Sequence, residues 1–200
     1  MIAVVRSELY RTLSIRSSWV SIAGTITLGV LFSFLSADFW SLFAGLGAFG
    51  IAVVTTSAHY QHRTAMLLFL GRPRRLQVLA AQCVAAVLVA LALALISGLT
   101  LINPQDIRQF TGTIVAVPLI ALYGVANATV VRKPLWLFVG YISWITFVEG
   151  LLGKLKDPWP FTSFLDAASG KPDGLLHFTL WTLLAMAGAV WSIRRDLSGD

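Results

Sequence analysis

Residues 76–105 read LQVLAAQCVAAVLVALALALISGLTLINPQ, thirty positions without one acid or base. About 20 helical residues cross a hydrocarbon core about 30 Å thick, and a helix satisfies every backbone N–H and C=O internally. Working outward from this run, uncharged and mostly apolar stretches recur along the 200-residue chain, and six spans emerge: 17–37, 39–58, 76–100, 109–131, 134–153 and 174–193. The expected fold class is all-α: a polytopic integral membrane protein forming a single transmembrane domain over residues 1–200.

Composition agrees. With 57% hydrophobic and 12% charged residues, the chain has too little polar surface to coat a soluble globule. The formal net charge of +6 is dispersed among connecting segments rather than gathered on one face, so no nucleic-acid partner is expected. The lone Cys83 leaves no intrachain disulfide and no cysteine cluster for a metal. The first sixteen residues carry Arg6, Arg11 and Arg16 without a continuous apolar core or a cleavage pattern, so they do not read as a signal peptide.

Six spans alternate the connections between two sides, and the bases separate accordingly. One side collects Arg6, Arg11, Arg16, Arg63, Arg72, Arg74, Arg75, Arg132, Lys133, Arg194 and Arg195 against Glu8, Asp196 and Asp200. The other has Arg108, Lys154, Lys156 and Lys171 against Asp38, Asp106, Glu149, Asp157, Asp166 and Asp173. The basic side is expected to be cytoplasmic, which puts both termini there and the chain in the cell (plasma or inner) membrane. Tryptophan favours the headgroup layer: Trp19, Trp136 and Trp191 fall at cytoplasmic span ends, and Trp40 and Trp159 on the outer side. Trp144 and Trp181 fall deeper, where packing accounts for them.

Helix association in lipid relies on small residues that let backbones approach. Ala86, Ala90, Ala94 and Gly98 repeat every four residues as such a stripe, and Gly124 and Ala128 repeat the spacing. Whether the stripe packs within the chain or against a second copy is open. Gly45, Gly47 and Gly50 allow close packing or a bend, and Pro118 is expected to kink its span. Asn127 is expected to make an interhelical hydrogen bond.

Residues 2–16 form an amphipathic surface helix, with Ile2, Val5, Leu9 and Leu13 on one arc and Ser7, Glu8, Arg11 and Ser14 opposite. It serves as an anchor or as a docking element. In the loop 59–75, a helix over 59–70 would end at Gly71 and Pro73, exposing Arg72, Arg74 and Arg75 beside the membrane. Such a segment suits a topology signal with lipid-phosphate contact, or a knob for a cytoplasmic partner.

Here Ser-Ala-His-Tyr-Gln-His-Arg-Thr (57–64) and Arg-Pro-Arg-Arg-Leu-Gln-Val-Leu-Ala-Ala-Gln (72–82) resemble the cytoplasmic loop of permease subunits of type-2 ABC exporters. In that family the segment commonly reads Glu-Tyr-Arg, a Thr, a Pro with adjacent bases, and Ala-Ala-Lys; His59 and Gln82 depart from its acid and lysine. The surface helix with Glu8 and Arg11, and Pro-Trp-Pro-Phe-Thr (158–162) before the last span, extend the resemblance over the whole chain. It implies that His59, His62, Arg63, Thr64, Arg72, Pro73, Arg74 and Arg75 couple the spans to a cytoplasmic ABC ATPase subunit. It also implies a second permease, as a homodimer or with a paralogue, and a re-entrant element around Phe161, Phe164 and Leu165 within the outer loop 154–173. No cofactor is expected in this chain: ATP and Mg would belong to the partner ATPase. Gly150-Leu-Leu-Gly-Lys154 is too short for a phosphate loop.

Glu149 lies fifteen residues beyond Pro134, roughly 22 Å along a helix at 1.5 Å per residue. A carboxylate deep in a bilayer costs about 2.5–3.5 kcal/mol, so it needs a partner, a proton or water. It reads as a gate or pathway group, together with Asn127, or as a capping acid or a partner of Lys154 or Lys156. His59 and His62 have no third ligand at a useful interval, so no metal is expected. No catalytic arrangement is present, and a transport subunit rather than an enzyme is expected. The competing expectations are a non-transporting accessory or immunity-type membrane protein, and a secondary transporter driven by protons through Glu149.

Overall fold

The computed structural model describes residues 2–14, 16–61, 75–102 and 105–195, and the side chains of 5–10, 12, 14, 19–58, 76–102 and 105–195. The expected coupling residues His62, Arg63, Thr64, Arg72, Pro73 and Arg74 lie outside the described residues. His59 and Arg75 fall within helices, with their side chains outside the description, as is the side chain of Arg11.

Every regular element among the described residues is helical. In order they are α1 (Ile2–Ser14), α2 (Arg16–Ser33), α3 (Ala37–Gln61), α4 (Arg75–Ser97), a 3-10 turn at Leu99–Leu101, α5 (Ile107–Val131), α6 (Pro134–Ser143), a π-helical continuation at Trp144–Leu152, α7 (Pro160–Ala168) and α8 (Pro172–Arg195). Five segments are long and apolar enough to cross a membrane: Ala37–Ala58, Leu76–Ser97, Ile107–Val131, Pro134–Leu152 and Pro172–Arg195. The stretch expected as the first span is represented by α2, whose described apolar part, Trp19–Ser33, is shorter. The chain is a helical, multi-pass membrane protein.

Helices α3 and α4 run antiparallel, the start of one meeting the end of the other at Trp40 and Ser97. A tight turn closes α2 onto α3 through Leu35 N–H and Ser36 N–H to the Phe32 carbonyl, at 3.1 and 3.2 Å. The α5–α6 turn is sharper still: Arg132 adopts a left-handed φ of 59° and donates its N–H to Ala128 O at 2.9 Å. Pro134 then opens α6 at a position where no N–H is needed. The start of α5 meets the α7–α8 connection through Arg108 and Gly170, and mid-helix Leu119 meets Thr182, so this turn and the end of α8 share a basic end bearing Arg132, Lys133, Arg194 and Arg195, opposite the α4–α5 and α6–α7–α8 connections.

The most extensive helix pair is α3 with α5. Gly124 permits it: a Cβ there would lie 3.1 Å from both the Ala52 Cβ and the Phe49 carbonyl oxygen. Ala116, Val117, Ala121, Val125, Ala126 and Ala128 are fully buried along the same helix, which runs unbroken through Pro118. The Ala86, Ala90 and Ala94 stripe is buried within this chain's own core, and Gly98 makes room for the rings of Trp40 and Phe110. Thus the stripe is covered from inside.

Three placements differ from expectation. Trp40 is completely buried rather than interfacial: its indole N–H reaches Ser97 Oγ at 3.1 Å and its ring stacks on Phe110 at 5.6 Å. A hydroxyl partner inside the bundle removes the need for headgroup water. Glu8 is 6% exposed rather than on an outward polar face, and it lines a small pocket with Thr12, Thr55, Thr56 and Gln82. The polar groups of α3 and α4 solvate that face of α1, and Tyr10 points outward instead. Asn127 Nδ2 bonds the Tyr123 carbonyl of its own helix at 2.8 Å, in place of an interhelical bond.

Candidate functional site

The sequence Trp-Ile-Thr-Phe-Val-Glu-Gly-Leu-Leu at 144–152 winds as nine π-helical residues continuing α6. Such wide winding is rare and concentrates at functional places in helices. It ends with Gly153 N–H on Val148 O and Leu155 N–H on Glu149 O, both at 2.8 Å, followed by left-handed Lys154 and Leu155. The chain then turns back, and Pro160 starts α7.

A helix start leaves orphan N–H groups that a Ser, Thr, Asp or Asn cap usually meets. Trp159 occupies the cap position and has no such side chain; no side-chain cap bond is made from it. Pro160 carries no N–H, and Ser163 N–H already reaches Trp159 O at 2.8 Å, so Phe161 and Thr162 hold the two orphans. Glu149 takes both from across the turn: Phe161 N–H donates to Oε1 at 3.1 Å and Thr162 N–H to Oε2 at 2.6 Å. Thr162 Oγ1 adds a bond to Oε2 at 2.8 Å, and Trp144 Nε1 one to Oε1 at 2.9 Å. The carboxylate is wholly buried, and the positive end of α7 sits against its charge.

Glu149 therefore acts as a remote cap that ties α7 to the π segment, and no lysine is among its hydrogen-bond partners. Lys154 and Lys156 are exposed. Lys171 pairs with Asp166 at 2.7 Å on the surface.

The tied helix is anchored apolar side down. Phe164 is fully buried and fits the notch left by Gly45, and Phe178 meets it at 5.6 Å. Gly112 of α5 lies under the far end of α7, against the Ala167 and Ala168 carbonyls. Trp144, Trp159 and Trp181 form a continuous aromatic row above the capped end, at 5.5 and 6.4 Å, and Trp181 Nε1 bonds Pro158 O at 2.9 Å. The two tryptophans read from sequence as deep packing residues thus belong to one cluster with Trp159.

Below this knot α6 stands off the bundle. Leu137 is buried, and Tyr141 donates its hydroxyl to the Tyr123 hydroxyl at 2.6 Å. Cavities open on both flanks of that tyrosine pair. One, of about 220 Å³, lies toward α3 between Leu46, Phe49, Phe138 and Ile142. The other, of about 370 Å³, lies toward α8 between Trp136, Gly140, Trp144 and Trp181. Tyr123, Tyr141 and Pro160 border both.

Among the described residues no group of three metal-ligating side chains is assembled. Of the residues singled out in sequence, the structure joins Glu8 to Gln82 in one pocket and Glu149 to Thr162, while Asn127 lies on the same helix as Tyr123. Sequence reading missed the tyrosine pair and the tryptophan row; the absent cap residue before Pro160 was the available clue to the role of Glu149. Compared with models of known protein families, with curated proteins and with solved structures, the chain has no match.

Proposed function

We propose that this chain is the membrane-spanning permease subunit of an ATP-binding cassette exporter, with α2 as the first of six spans and both termini cytoplasmic. The observation that carries the reading is α7: a short helix folded back into the bundle immediately before the last span, as the type-2 exporter resemblance implies, with Phe164 buried among α3, α5 and α8. The surface segment α1, packed on α4 through Glu8 and Thr12, supports it too. In this reading a cytoplasmic ATPase engages the loop 59–75, and a second permease completes the path. Of the alternatives, a proton carrier working through Glu149 has less support, because that carboxylate is buried and holds four hydrogen bonds.

The test is capture of the full-length chain from its native membrane. A Walker-motif ATPase should co-purify, and replacing Arg72, Arg74 and Arg75 together with alanine should abolish stimulation of that ATPase while insertion stays normal. Recovery of the chain without any ATPase, or stimulation unaffected by the triple change, would refute the proposal in favour of an accessory protein.

A further inference from the structure

The larger cleft, on the α8 side of α6, has a shape and a charge pattern of its own. It runs from Val131 and Trp136 near the basic end to Trp144, Pro160 and Trp181 under the capped helix. The eight steps from Trp136 to Trp144 rise about 12 Å at 1.5 Å each, close to the roughly 15 Å depth of one leaflet of a 30 Å core. Its walls are aromatic rings and aliphatic side chains, because the hydroxyls of Tyr123 and Tyr141 are turned to one another. Gly140 lines it with open space where a Cβ would stand.

The Val131 end of the cleft adjoins a basic turn. Arg132 and the exposed Lys133 sit in the α5–α6 turn directly beside Val131, and apart from Glu8 the described acids lie at the other end of the bundle. A ligand suited to such a site is a narrow hydrocarbon chain one leaflet long that carries an anionic head. In a bilayer, phospholipid is the abundant species of that form.

We propose that this cleft is a lipid site: one acyl chain of a bilayer phospholipid lies between α6 and α8, with its phosphate at Arg132 and Lys133. The site requires only that the chain be embedded in a membrane, and it stands whether or not an ATPase is the partner.

The experiment uses the full-length chain in phosphatidylcholine vesicles containing an anionic phospholipid with a photoactivatable group midway along one acyl chain. Labelling should concentrate on Trp136, Gly140 and Trp181, all of which border the cleft. Gly140→Leu fills the cleft from a position with open space around it, so the protein should elute as before and melt no lower while labelling of α8 is lost. Lys133→Ala should lower labelling by the anionic lipid about fivefold, the effect of one basic residue near a charged membrane surface. Labels spread evenly around the outward faces of α6 and α8, or a pattern unchanged in both variants, would overturn the site. Selective labelling that ignores Lys133 but disappears in Gly140→Leu would overturn the headgroup assignment alone.

Discussion

The α3–α5 pair and the α6 arm are held by different means. Of the apolar windows of α3 and α5, 56% is buried inside the chain; of Pro134–Leu152, 11% is. The first pair is joined by small residues, with Gly124 against Ala52 and Phe49, and its strength comes from close van der Waals approach. The arm has few such contacts and is pinned at points: buried Leu137, the Tyr141–Tyr123 hydroxyl bond, and the Glu149 knot on α7. In lipid, where apolar surface gains little from leaving the solvent, an element can thus remain nearly free along its length and still be fixed in orientation by a few polar bonds.

Breaking the knot should have the largest effect. Glu149→Ala strands four donors, the two on Thr162 buried and those on Phe161 and Trp144 part-buried, and it is expected to destabilise the α7 region by about 3–5 kcal/mol, since each unmet buried donor costs about 1–3 kcal/mol. Thermal unfolding in detergent and protease cleavage near residues 154–159 would read the loss, while the α3–α5 contact should survive until global melting. Glu149→Gln should fall between, because its carbonyl still accepts while its amide faces donors.

A pair of identical changes sharpens the contrast. Gly112→Ala drives a Cβ into the Ala168 carbonyl and should cost about 1–3 kcal/mol by overpacking. Gly140→Ala meets nothing and should raise stability slightly, by up to about 1 kcal/mol of helix propensity. Equal melting shifts for the two would contradict the difference between core and arm. Smaller again, Tyr141→Phe removes one pin and should cost about 0.6 kcal/mol, the average for such bonds between membrane helices. Its signature would be increased accessibility of cysteines placed on the α6 face toward Tyr123, with little change in melting.

Sequence made the long elements legible because hydrocarbon imposes a simple rule: the uncharged runs at 76–100 and 109–131 became α4 and α5 within a few residues. Small-residue spacing likewise pointed to Ala86, Ala90 and Ala94, though only tertiary packing says that α3 and α5 cover them. Polar contacts were harder to anticipate. Whether Trp40 meets water or Ser97 depends on a residue 57 positions away, and no periodicity encodes that distance. Glu8 was misplaced because a helical wheel ranks faces by polarity alone, and Thr55, Thr56 and Gln82 offer it a polar interior. The remote cap was half legible: the missing acceptor before Pro160 calls for a donor-hungry group nearby, yet the winding that delivers Glu149 to it has no known sequence code.

That winding has a mechanical corollary. Removing one residue between 144 and 152 would leave too few residues for the i→i+5 turns, and Glu149 would lose the phase relative to Trp144 that the wide winding gives it. The acid would then come off the orphan amides of Phe161 and Thr162, so this stretch should tolerate exchange of side chains far better than a change in its length.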